Sequence, residues 1–129
     1  MEELEIFEVM ETSDFEKSVK RFVKKKRFFS LAGQIRELKD KVRRGEFEGD
    51  KITHQDSPVP YDTYKLRLPI PDINIGKSDG YRLIYMALTR DKVVVFMALY
   101  YKKEQPTISD AYINGLIDGY FLASLPEED

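Results

Sequence analysis

Between Tyr61 and Lys103 three strand-like runs, YDTYKLRLPI, GYRLIYMALTR and KVVVFMALYYKK, follow one another in close succession. This is the feature that most restricts the fold. In the first run Tyr64, Leu66, Leu68 and Ile70 alternate with Lys65 and Arg67, the period-two pattern of a half-buried antiparallel strand with one core face and one basic face. Arg90-Asp91 fits a short hairpin turn between the second and third runs. The third run is almost wholly apolar, as a central strand would be.

Upstream, residues 4 to 10 (LEIFEVM) read as a short strand, and Ser13 followed by Glu16 reads as a capping box. Phe15, Val19, Phe22 and Val23 then recur at helical spacing, predicting a helix from Asp14 to Arg27. A second helix is predicted from Phe29 or Ser30 to Arg44, with Leu31, Ile35, Leu38 and Val42 on one stripe and Gly45 as its stop signal. Periodicity vanishes from Glu46 to Pro60, which reads as a surface loop, and His54 within it is given no chemistry. At the other end Ser109 can cap a helix built on Ile113, Leu116, Ile117 and Tyr120, which Gly115 and Gly119 weaken by up to ~1 kcal/mol each. That tail helix needs a surface to dock on. The predicted class is α+β: an N-terminal strand and helical hairpin packed on an antiparallel β-sheet, then a C-terminal helix, with residues 1–129 forming one domain.

The net charge of −2 conceals a segregation. Residues 1–16 carry seven acids and no base, residues 17–44 carry twelve Lys or Arg against Glu37 and Asp40, and residues 65–103 carry eight bases against three acids. Such basic blocks attract polyanions whatever the overall sign, because fields act within a Debye length of ~8 to 10 Å. There is no cysteine and one histidine, so neither a disulfide framework nor a usual zinc ligand set is expected. No apolar run approaches the ~18 residues that span a bilayer. The acidic N-terminus argues against export, and the cytoplasm is the expected compartment.

Gly76-Lys77-Ser78 has the letters that end a nucleotide-binding P-loop. The first glycine of that motif would fall on Pro71, and β-patterned sequence rather than a helix follows Ser78, so the phosphate-cradle reading fails. Ser78-Asp79-Gly80 suits a turn instead, with Gly80 free to adopt positive φ, and it delivers Arg82 at the start of a strand.

The arrangement KLRLPI, then GKSDGYRLIY, then an apolar strand ending in YYKKE, all after a helical hairpin, resembles the RelE/ParE superfamily of bacterial toxins, in the branch of RelE and HigB-like mRNA interferases. The resemblance implies a small α+β toxin of a type II toxin–antitoxin system that cuts mRNA on the ribosome, inhibits translation, and is silenced by a cognate antitoxin. It implies no cofactor, no metal and no membrane partner. It aligns Lys65, Arg67, Arg82, Lys102 and Lys103 with the family's catalytic cluster. Cleavage by attack of a 2′-OH on the adjacent phosphate requires a base, charge stabilisation at phosphorus and a proton for the leaving oxygen. Arginine clamps phosphate oxygens and a lysine among cations can serve as base, so Arg82 is assigned to charge stabilisation, Lys65 to base, and Lys102 or Lys103 to protonation or positioning. Lys77, Lys24 and Lys25 are candidate RNA contacts, and Tyr81, Tyr100 and Tyr101 candidate base-stacking platforms.

Structural readings stand beside these. Arg82 can pair with Asp79 or Asp72, Lys65 and Arg67 can be the wet face of an ordinary sheet, and the tyrosines can be core. The slight net acidity and the lack of a tyrosine between Gln105 and Asp110 depart from the family pattern. Two other functions are therefore weighed: a non-catalytic module of the same fold, inhibiting gyrase or only binding antitoxin, and an adaptor holding an acidic partner.

Overall fold

The computed structural model describes residues 6–52, 61–105 and 108–124. His54 and the first residues of the expected N-terminal strand lie outside them. Among the described residues five strands, β1 (Glu8–Glu11), β2 (Asp50–Ile52), β3 (Asp62–Leu68), β4 (Tyr81–Leu88) and β5 (Val93–Tyr101), form one sheet in the order β1-β5-β4-β3-β2. Helices α1 (Ser13–Lys24) and α2 (Leu31–Arg43) precede β2, and α3 (Asp110–Ser124) follows β5. The α+β architecture is the expected one, with two corrections to the sheet. β1 pairs in parallel with β5, so the sheet is mixed rather than wholly antiparallel. β2 is a short edge strand inside the segment expected to be loop; three residues are too few to display a period.

Burial explains why β4 is wholly apolar apart from Arg82. All eight of its residues are buried, because helices cover the sheet on both faces. On the inner face, Tyr81, Leu83, Tyr85 and Ala87 share a core with Phe15 and Phe22 of α1 and with Leu31, Ile35, Leu38 and Val42 of α2. The four α2 residues are those of the predicted stripe. On the outer face, Ile84, Met86 and Leu88 join Val95 and Met97 beneath Ile113 and Ile117 of α3. Burying an isoleucine side chain contributes about 1.5 to 3 kcal/mol, enough to offset the two helical glycines. The outer face is therefore divided: apolar where α3 covers it, cationic toward β3.

The register of β4 against β5 shifts between Ile84 and Tyr85, leaving Met97 as an extra residue. This bulge keeps Phe96 on the inner face and Val95 on the outer one, which is why β5 shows no clean alternation. It also presents Met97 O to Thr12, whose Oγ1 donates to it at 2.8 Å and accepts from Phe15 N at 3.1 Å. Thr12, one residue before the predicted Ser13, is thus the N-cap of α1. Helix α1 ends at Lys24 rather than Arg27, since Arg27 turns left-handed (φ 62°) and Phe28 N reaches back to Phe22 O. Gly45 (φ 79°) stops α2 as expected: its N–H donates to Val42 O and that of Glu46 to Lys41 O, the paired bonds of a Schellman turn. The β4–β5 connection is the predicted hairpin, with Lys92 left-handed (φ 58°).

Thr12 joins a helix cap to a sheet bulge, so Thr12→Ala is expected to destabilise by about 1 to 2 kcal/mol in urea unfolding, while Thr12→Ser retains most of the stability. Equal midpoints for Thr12→Ala and the parent protein would contradict this role.

Candidate nucleic-acid interface

Directly opposed residues on adjacent antiparallel strands share a face. The register pairs Arg67 of β3 with Arg82 of β4, and Arg82 with Tyr100 of β5. One step along, Asp50, Lys65, Ile84 and Ala98 form the next row. Lys65, Arg67 and Arg82 therefore converge on the outer face of the sheet, with Tyr100 beside them. Arg67 is exposed, and its nearest acid, Asp50, stands at 3.9 Å. Lys65 is half-buried and has no ion-pair partner among the described residues.

Arg82 is only 8% exposed. It pairs with neither Asp79 nor Asp72. Its Nη1 donates to Lys77 O at 3.0 Å and Tyr81 O at 3.2 Å, and its Nη2 to Ser78 O at 2.7 Å. Lys102 Nζ donates to the same Ser78 carbonyl at 3.1 Å and stands 3.8 Å from Asp79 Oδ1, while its main-chain N–H donates to Gly80 O. Two cations thus fasten the 76–80 loop by its carbonyls. Gly80 is needed here, though not for positive φ as the sequence suggested: its φ is −92°, and a Cβ would lie 2.1 Å from Leu68 O. Close approach to β3 is the reason for the glycine. Burial pushes the Tyr100 phenol above its usual range, against the opposing pull of Arg82, so a neutral hydroxyl lies next to the guanidinium.

Lys77 is exposed on the same loop, and Lys103 is exposed in the turn after β5, beside a depression lined by Ile75, Asp79, Tyr101 and Lys102. Lys24 and Lys25 sit at the end of α1, in the helix layer on the opposite side of the sheet from Arg67. Glu104 bridges these regions: it accepts from Arg21 at 2.8 and 3.3 Å and pairs with Lys26 at 3.2 Å. Base stacking does not hold for Tyr81 and Tyr101. Both point to the inner face, where Tyr81 is 5.2 Å from Phe22 and both rings meet Phe28 edge-on. Adjacent tyrosines on a strand take opposite faces: Tyr100 lies in the cationic row on the outer face, yet it is itself buried in the apolar cluster with Ile108, Ile113 and Ile117 and offers no open stacking surface.

Glu104 and the loop carbonyls are the parts that sequence reasoning missed. Glu104 follows the Lys pair visibly in YYKKE, but its partner Arg21 lies 83 residues away. Among the described residues no group of three His, Cys, Asp or Glu is placed to hold a metal ion, and no helix is long and apolar enough to cross a membrane.

No family model matches the chain, and no curated protein does. Among solved structures the chain is similar to that of an archaeal RelE–RelB complex from Pyrococcus horikoshii OT3, at 21% sequence identity and a TM-score of 0.41, over 75% of this chain and 96% of that one.

The Arg21 hydrogen bond, helped by Lys26, holds the Glu104 carboxyl below its ordinary value. A depressed folded value means stability that is present above the unfolded glutamate pKa of about 4.3 and lost as pH falls through the folded one. Urea unfolding across that window is expected to show a shallower acid-side loss for Glu104→Gln than for the parent. Identical pH profiles would remove the bridge from the account.

Proposed function

We propose that this chain is the toxin of a type II toxin–antitoxin pair with a RelE-like fold: a metal-independent endoribonuclease that cuts mRNA on the ribosome in the cytoplasm and is silenced by its cognate antitoxin. The observation carrying the reading is the register that brings Lys65, Arg67 and Arg82 to one sheet face, with Lys102 bound to the carbonyl that Arg82 also holds. In this reading the exposed Arg67 clamps the scissile phosphate, and Lys65 removes the 2′-OH proton. Lys102 or Lys103 donates to the leaving 5′ oxygen, and Lys77 engages the neighbouring phosphate. Arg82 adds positive potential from beneath, since no carboxylate among the described residues neutralises it. Lys24 and Lys25 meet more distant phosphates of the same ribosomal assembly.

A second reading, a non-catalytic binding module of this fold, is favoured by one observation. The guanidinium of Arg82, which the resemblance aligns with charge stabilisation, is occupied by loop carbonyls.

Induction of the chain is expected to arrest growth, with primer extension revealing cuts in translated messages, and co-expression with an adjacently encoded antitoxin is expected to restore it. Lys65→Ala and Arg67→Ala should keep the parent's melting temperature and reduce cleavage by about 10²-fold. Each should also lower the salt slope of RNA binding by about one. Cuts undiminished in both variants would eliminate the catalytic assignment; intact messages with RNA binding retained would select the binding module.

A further inference from the structure

Among the described residues β1 stands at the sheet edge, with β5 on one side. In that parallel ladder Glu8 N donates to Lys92 O at 2.9 Å and Thr12 N to Phe96 O at 3.1 Å. Parallel pairing uses alternate residues, so Met10 also faces β5 while Val9 and Glu11 direct their N–H and C=O groups outward. Among the described residues no strand takes up those groups.

Beside this edge runs a groove of about 440 Å³, lined by Met10, Val95, Met97, Gly115, Gly119 and Asp14. Its floor is apolar, and Met10 is 45% exposed. A Cβ at either glycine would meet nothing within 4 Å, so the groove is open along α3. A strand laid against β1 would set alternate side chains toward this groove, the combination by which sheet edges capture extended peptides. Charge narrows the occupant. Among the described residues of this edge and the start of α1, Glu11 is held by Lys39, while Glu8 and Asp14 are exposed acids. A second copy would place two such acidic edges together, which like-charge repulsion disfavours.

We propose that the β1 edge and the β1–α3 groove take up, as an added strand, an extended segment of a protein partner that is apolar at alternate positions and carries basic residues between them. The inference stands independently of whether the cationic row acts on RNA, because it uses the opposite edge of the sheet from β2 and β3.

The test uses the full chain and a fluorescein-labelled decapeptide of five Lys-Val repeats, followed by anisotropy at physiological salt, with the same peptide N-methylated at its valines as control. The unmodified peptide is expected to bind at least about fivefold tighter than the methylated one, and to shift the amide resonances of Val9 and Glu11. Gly119→Leu, which fills the groove, and Asp14→Lys, which reverses charge, should each weaken binding about fivefold while leaving cooperative unfolding intact. Equal binding of the two peptides would reduce the interaction to charge alone and overturn the proposal. So would unshifted Val9 and Glu11 amides, or a dimer in sedimentation that Gly119→Leu dissociates, which would assign the edge to a second copy.

Discussion

The central constraint is the burial of β4 on both faces. Its odd-numbered side chains enter the core beneath α1 and α2, and its even-numbered ones enter the core beneath α3 or, at Arg82, the cationic row. A slip of one residue would exchange the two sets and drive Arg82 into the aromatic cluster of Phe22, Phe28, Tyr81 and Tyr101. Desolvating an unpaired guanidinium there would cost several kcal/mol. Core packing therefore fixes the register, and the register places the charges.

The same constraint shapes the 76–80 loop. Arg82 stands at the start of β4 next to that loop, and its donors meet the carbonyls of Lys77, Ser78 and Tyr81. A buried polar group must be hydrogen-bonded, and here the need is met by main chain rather than by a carboxylate. The result is a loop held firmly from inside with positive charge left over. Lys102 adds to both effects through Ser78. Arg82 is thereby turned inward onto the loop, while Arg67 faces solvent and Lys65 is half-buried beside it.

Much of this was legible in the sequence because its periodicities are strong. The α2 stripe, the Gly45 stop, the alternation of Lys65 and Arg67 against Leu66 and Leu68, and the Ser109 cap all survive in the fold. What sequence could not convey depends on distant pairing. The parallel partner of β1, the Met97 bulge and the tertiary use of Thr12 each require knowing which strand lies next to which. The choice between Tyr100 and Tyr101 was open for the same reason: parity along β5 is set by its pairing with β4. The sequence marks Gly80 as special, but what demands the glycine is the Leu68 carbonyl rather than a torsion angle.

The central claim is that an RNA phosphate is met first by the row on β3 and β4. Titration of the isotope-labelled protein with a 2′-O-methyl trinucleotide, which cannot be cut, tests it directly by nuclear magnetic resonance. The account predicts that the Arg67 side-chain Nε–H and the amides of Lys65, Arg67 and Arg82 move first and saturate together. Shifts confined to Lys24, Lys25 and their neighbours on α1, with the sheet resonances still, would contradict it.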